Sequence, residues 1–203
     1  MKIVLLGSTG KTGMEFITQA LEAGHSVVAV VRTPSKLTEK NPNLHIIKGN
    51  VTDSEVLARA MVGGDVLVST LGGTGSSLIT NTTKAIITAA DKTGLKRVIM
   101  MSSFLVESEQ LKGFLRLLTD FVMRQIISDK SAGEKLLRES DLDWTIVYAT
   151  RLTNGQRDPR VRIVPRTEKI GMMYKISRVN VAAWILGSLK DASYIRKSVT
   201  ISQ

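Results

Sequence analysis

Short runs of Val, Ile and Leu alternate along the chain with stretches whose apolar residues recur at helical spacing. "KIVLLG" at 2–7 predicts a strand, and "KTGMEFITQALEAG" at 11–24 predicts a helix stopped by Gly24. "HSVVAVVR" and "LHIIKGN" predict the second and third strands, and "DSEVLARAM" a helix with Asp53 as its N-cap. "DVLVSTLGG" reads as a fourth strand, "NTTKAIITAADKTG" as a helix closed by Gly94, and "KRVIMMSS" as a fifth strand. A long helical region is expected from Glu109 to Glu139, followed by a sixth strand in "DWTIVYAT". Beyond Arg151 the pattern loosens, leaving a helix in "SRVNVAAWILGSLKD" and a last strand in "SVTIS".

Strands that are apolar throughout are buried on both faces, which implies a parallel sheet wrapped by helices. Strand–helix alternation gives right-handed βαβ crossovers. The expected fold class is therefore α/β: a single Rossmann-like, doubly wound parallel sheet flanked by helices. Residues 1–203 form one expected domain, with 151–203 completing the substrate side. No Pro/Gly-rich linker, internal repeat or low-complexity tract interrupts it.

Composition removes several chemistries. The absence of cysteine excludes disulfides, thiolate zinc sites and a Cys nucleophile, and two histidines disfavour a multi-His centre, so no metal is expected. No apolar run approaches the roughly 18 residues that a membrane span needs. The N-terminal "IVLL" is short for a signal-peptide core, so a cytoplasmic protein without a membrane partner is expected. The formal charge is +10, much of it late in the chain, in Arg151, Arg157, Arg160, Arg162, Arg166, Lys169, Lys175 and Arg178. Such a stretch can contact nucleic acid, draw small anions into a cleft or form a solvated face. No aromatic ladder, zinc finger or helix-turn-helix signature supports the first of these.

The most informative stretch is Gly7-Ser8-Thr9-Gly10-Lys11-Thr12-Gly13, between the first strand and the first helix. In that position the first Gly permits a tight turn, the second lets backbone approach a pyrophosphate, and the third lets the helix pack on the strand. Free N–H groups at the helix start favour an anion. Thr9 and Thr12 add hydroxyls and Lys11 a charge. The spacing is GxxGxxG, neither the usual GxGxxG nor a Walker A loop.

The second strand bears on which dinucleotide binds. An NAD site usually carries an acid about 20 residues on, bonded to the adenosine ribose. Here "VVAVVRTPSKL" supplies Arg32, with Lys36 just beyond. An acid would repel a 2′-phosphate, whereas Arg32 would bind it. NADP(H) is the expected cofactor.

At this point "GSTGKTG", "VRTPSKL", "GNVTD", "STLGG", "VIMMSS" and "LRESDLDWTIV" resemble the atypical short-chain dehydrogenase/reductases of the NAD(P)H-binding, NmrA-like group. Within that group the small biliverdin-IXβ/flavin reductases are similar in length and motif order. The resemblance implies pyrophosphate binding by Gly7 to Gly13 and 2′-phosphate binding by Arg32 and Lys36. It implies that Asn50 and Val51 border adenine, and that Leu71, Gly72 and Gly73 line ribose and phosphates. It sets Ser102 and Ser103 beside the nicotinamide ribose, Lys130 within reach of that ribose, and Ala149, Thr150 and Arg151 against the carboxamide. Two departures stand out: Tyr148-Ala149-Thr150 replaces the Arg-Pro or Pro-Pro of many relatives, and Asn180 stands where Asp is more usual.

Many short-chain reductases use a Tyr with a Lys four residues later. Here Tyr148, Tyr174 and Tyr194 are followed at that spacing by Leu152, Arg178 and Ser198. Carbonyl reduction by that pair is disfavoured. Hydride transfer to a flavin, tetrapyrrole or quinone needs orientation more than acid–base help, because charge spreads over the π-system and solvent can give the proton. Ser103 and Lys130 are the catalytic candidates; Phe104 and Arg151 are the substrate candidates, with Met101 and Leu105 extending an apolar floor. Lys130 and Arg151 would hold an acidic substituent. His25 and His45, at strand starts, and Trp144 and Trp184, as packing residues, carry no expected chemistry. The expected activity is an NADPH-dependent reductase of a small conjugated acceptor, acting as a monomer or weak homodimer. The alternative is an NADP(H)-sensing, NmrA-like regulator that binds a protein partner.

Overall fold

A computed structural model describes residues 1–73, 77–107, 111, 123–171 and 173–203. The first half is a strand–helix alternation: β1 (Lys2–Leu6), α1 (Lys11–Glu22), β2 (Ser26–Val31), β3 (Leu44–Lys48), α2 (Ser54–Met61), β4 (Val66–Ser69), α3 (Leu78–Thr93) and β5 (Arg97–Ser103). The second half adds α4 (Arg124–Glu139), β6 (Asp143–Ala149), β7 (Arg151–Thr153), β8 (Arg162–Val164), β9 (Lys175–Ser177), α5 (Arg178–Ser188) and β10 (Lys197–Ser202).

Eight strands form one sheet in the order β3-β2-β1-β4-β5-β6-β10-β8, parallel except for β8, which pairs antiparallel with β10. The expected Rossmann-like α/β fold is present. Its two faces carry separate apolar cores: Val4, Leu6, Leu67, Val98 and Ile146 point to one, and Ile3, Leu5, Val68, Ile99 and Val147 to the other. This is why the strands read as unbroken apolar runs. The order of strands reverses between β1 and β4, the place where ligands bind in open α/β sheets. There the Thr70 hydroxyl donates to the Leu6 carbonyl at 3.1 Å, tying the ends of β4 and β1 together.

Local chemistry sets the element ends. Asp53 caps α2 as expected, accepting from the N–H groups of Glu55 and Val56. Gly94 closes α3 at φ +76°, a left-handed conformation that favours glycine. Helix α3 begins at Leu78, three residues before the expected start at Asn81. Its N-cap, Ser77, makes no side-chain capping bond. Asp129 of α4 does that work instead, accepting from Ile79 N and Thr80 N, each at 2.9 Å.

Two expectations are corrected. The helical reading from Glu109 fails at Leu111, which is buried and bridges to Ile170; residues 108–110 and 112–122 lie outside the described set, and α4 runs from Arg124. The loosened stretch after Arg151 contains three strands of three residues each. β7 and β9 form a separate parallel pair, and β8 extends the main sheet. Each is too short to leave a period in the sequence. Part of the late basic stretch is neutralised locally: Arg160 pairs with Asp158 at 2.7 Å and Arg162 with Glu168 at 2.6 Å. Trp144 is buried and Trp184 packs on Tyr194 with ring centroids 5.0 Å apart, as packing residues do. Asn180 is also structural, accepting from Asp158 N and donating to Gln203.

Candidate functional site

The loop from Gly7 to Gly13 crosses the switch point, and its glycines do three different jobs. Gly7 has φ +84°, and a Cβ there would lie 2.9 Å from the Thr70 backbone. A Cβ on Gly13 would lie 2.2 Å from the Gly7 carbonyl oxygen, so only glycine lets α1 seat against the end of β1. Gly10 is the N-cap of α1 and brings no side chain to cap it, leaving the first-turn N–H groups available to an anion. The residues present fit a dinucleotide pyrophosphate. Thr9 stands exposed at the loop, while Thr12 is buried. Lys11, exposed at the same helix start, lines a cleft of about 500 Å³ with Asn154 and Arg178.

The residues expected at the adenosine end lie past β2 and β3. Arg32 and Lys36, just past β2, are exposed, and neither side chain makes a hydrogen bond or ion pair among the described residues. Asn50, past β3, spends its carboxamide oxygen on Thr52 N at 3.2 Å, which leaves its NH₂ free for a ring acceptor. Val51 is buried beneath it in the core. Leu71, Gly72 and Gly73 follow β4 on the other side of the switch point.

On that side a cavity of about 510 Å³ gathers Gly72, Gly73, Ser102, Ser103, Phe104, Lys130, Ala149, Thr150 and Arg151. Most of its wall is apolar, supplied by Met101, Phe104 and Leu105, by Met123 just before α4 and by Ile126 and Ile127 on it. Phe104 serves both readings, since it is buried in the core and still forms wall. Ala149 and Thr150 are nearly fully buried. The Thr150 hydroxyl faces Ile201 O and Ser202 Oγ at 3.3 Å, so β10 occupies it. Arg151 opens β7 and is exposed, and its side chain has no partner among the described residues.

Three polar side chains in this wall have distinct states. Ser102 Oγ donates to Glu134 Oε1 at 2.6 Å. Ser103 Oγ accepts from Leu105 N at 3.3 Å, which leaves its own proton for a group in the cavity. Lys130 is 8% exposed, and its ammonium makes no hydrogen bond or ion pair among the described residues. Burial lowers its pKa from the usual lysine value, against the opposing pull of Glu134 and Asp129.

Glu134 is the residue that sequence reasoning missed. It is 1% exposed, and besides Ser102 its carboxylate accepts from the Tyr148 hydroxyl and from Arg138 at 3.3 Å. Burial first, then the charge of Glu134 and its hydrogen bond, push Tyr148 well above the usual phenol range. Arg138 continues the chain to Ser198 at 3.2 Å. The signal was available: Lys130, Glu134 and Arg138 recur every four residues, one face of a helix.

Fold and crevice together define a dinucleotide-binding Rossmann domain. A family description for NAD(P)H-binding proteins matches residues 7–192, and the chain belongs to that family. Among curated proteins, the photosystem II assembly factor Ycf39 of Synechocystis is 27% identical over 162 residues, covering 76% of this chain and 46% of its own length. The chain thus spans about half of that relative. Among solved structures, a wide-type short-chain dehydrogenase/reductase from Veillonella parvula in complex with NADP superposes with a TM-score of 0.85 at 18% identity, over 100% of this chain and 94% of its own. ChuY, an anaerobillin reductase of Escherichia coli O157:H7, superposes with a TM-score of 0.82 at 23% identity, over 99% and 96%. Among the described residues no helix is long and apolar enough to cross a membrane, and no cluster of His, Asp or Glu is arranged to hold a metal ion.

Proposed function

We propose that the protein is an NADPH-dependent oxidoreductase that reduces a flat, conjugated acceptor (a flavin, a tetrapyrrole or a quinone) without a Tyr–Lys pair. The observation that carries this reading is the apolar cavity opening beside Gly72 and Gly73, with a buried ammonium in its wall that has no partner among the described residues. An aromatic acceptor is held by such a wall through area and dispersion. Arg151 at the mouth suits an acidic substituent such as a phosphate or propionate. Arg32 and Lys36 favour NADPH over NADH. The solved NADP complex and the anaerobillin reductase supply fold-level precedent for both halves of this reading.

Bound NADPH supplies the hydride; the chain's own groups orient the acceptor, exclude water and manage the accompanying proton. Ser102 is a poor proton donor, since its hydrogen is already given to Glu134. Ser103 retains a free proton and can steer a polar atom of the acceptor. Lys130 carries an exchangeable proton into a dry wall, where burial makes the ammonium a stronger acid. It is the acid of this proposal, and solvent returns its proton after turnover.

The test follows NADPH absorbance with FMN, FAD, a biliverdin and a quinone as acceptors. Saturable turnover with one of them, lost in Gly10→Val, is the expected result. Tight NADPH binding without turnover on any acceptor would instead favour an NADP(H) sensor with a protein partner. The relative named an assembly factor gives that second reading a specific basis.

A further inference from the structure

Buried cations in an apolar wall are costly unless something opposite in charge stands near. Lys130 has no ion pair among the described residues, yet it stands in a wall with Ile126, Ile127, Leu105 and Phe104. One helical turn further along α4, on the same face, stands Glu134, more deeply buried than Lys130 itself. Glu134 touches the cavity only through Ser102, whose hydroxyl it turns inward.

We propose that Glu134 is a positioning residue of this site: its charge holds Lys130 as a cation in the apolar wall, and its Oε1 turns Ser102 so that the serine presents oxygen, not hydrogen, to the bound cofactor. The proposal rests on the reductase reading only for its catalytic consequence. A serine fixed as acceptor suits a ribose hydroxyl, which donates, and is unsuited to an acceptor carbonyl, which does not. The division of labour between the adjacent serines then follows from their partners. Ser102 serves the cofactor and Ser103 the substrate.

The groups around Lys130 favour Glu134 for this role. On α4, Asp129 is adjacent in sequence, but its carboxylate is committed to Ile79 N, Thr80 N and the Thr80 hydroxyl. β6 brings Tyr148, which stays protonated and donates to Glu134. β7 brings Arg151, a like charge at the cavity mouth. Arg138 lies behind Glu134, 3.3 Å from its carboxylate and 3.9 Å from that of Glu107, so one cation is shared by two acids and negative charge is left over. α3 faces α4 with hydroxyls, Thr80 and Thr83. Among the described residues, Glu134 is the buried acid that shares the α4 face of Lys130 and reaches the cavity wall through Ser102.

The experiment measures the fraction of neutral Lys130 amine without using turnover. Cyanate, a small electrophile, carbamylates only the neutral amine, and the modified peptide is quantified by mass spectrometry across pH. Removing the counter-charge in Glu134→Gln should free more neutral amine at a given pH, raising the Lys130 labelling rate on the order of tenfold near neutrality. Glu134→Asp keeps the charge while disturbing the packing comparably, and its labelling should stay close to wild type. Unchanged labelling in Glu134→Gln overturns the proposal. So does an equal rise in both variants, which would report loosened packing rather than lost charge. If labelling follows the expected pattern while no acceptor is reduced, only the reductase reading falls.

Discussion

Asp129 and Ile79 are 50 positions apart in sequence, and the carboxylate of one accepts the backbone N–H of the other at 2.9 Å. With Thr80 N also at 2.9 Å, Asp129 satisfies the two N–H groups that a helix's own N-cap side chain normally serves. Helix α3 is thus capped by the helix that carries Lys130. Asp129→Ala should destabilise the fold by about 2 kcal/mol, with Asp129→Asn intermediate, as read from urea unfolding midpoints. In a chain of this size that corresponds to a Tm lower by roughly 4–8 °C.

Gly13 gives a sharper steric prediction. A methyl group there would meet the Gly7 carbonyl oxygen at 2.2 Å, backbone against backbone, with no flexible side chain to yield. Gly13→Ala should cost about 1–3 kcal/mol and abolish NADPH binding measured by fluorescence, because α1 must lift off β1. At Gly10 the corresponding distance is 3.2 Å, so Gly10→Ala should fold normally and weaken the cofactor alone.

At the expected adenosine end, the side chains of Arg32 and Lys36 have no partner to lose among the described residues. Arg32→Ala/Lys36→Ala should therefore leave stability unchanged and weaken NADPH by roughly 10–100-fold, at about 1.5–3 kcal/mol for a charge-assisted phosphate contact. NADH should be nearly unaffected. Equal loss of both cofactors in parallel titrations would refute the 2′-phosphate assignment.

Tyr148 makes stability depend on alkaline pH. Its hydroxyl ionises near 10.0 in the unfolded chain and well above that in the native one. The native state keeps a proton that the unfolded state releases, so stability is full below about pH 10 and falls as pH rises beyond it. The expected slope from this group is roughly 1 kcal/mol per pH step. Comparing unfolding midpoints between about pH 9 and pH 11 checks it, and Tyr148→Phe should flatten the difference.

The adjacent serines should separate kinetically. Ser102→Ala is expected to raise the KM for NADPH about tenfold with kcat held, since it removes an acceptor for the cofactor. Ser103→Ala should lower kcat and leave that KM in place. The reverse pattern would mean that the two hydroxyls have been assigned to the wrong partners.

Seven strands of the main sheet, the switch point and the glycine loop were legible because each has a local cause: a period, a cap or a glycine with one tolerated neighbour. Part of the candidate site was legible for the same reason, since Ser102 and Ser103 end β5 and Arg151 lies two residues past the end of β6. β7, β8 and β9 were not, because three residues carry no periodicity. Nor was the Asp129 cap, whose donors lie on another helix. Glu134 was hidden differently. Its spacing from Lys130 was in plain view, but only burial distinguishes a structural carboxylate from the solvated Lys135–Glu139 pair nearby.

Gly133 sits on α4 between Lys130 and Glu134 in the run of side chains just described, and what it lacks matters as much as what they bring. A Cβ there would stand 2.8 Å from Ile79 Cγ2 and 3.1 Å from the Ile79 backbone. The missing side chain lets α4 rest closely on α3 at Ile79, and α4 is one wall of the cavity. The thickness of ring that the site admits is thereby gauged on the outer side of that wall, at a residue no ligand touches. Among relatives, a small residue here would keep the slot shallow and flat, while a bulkier one would tilt the wall and redraw the list of molecules that enter.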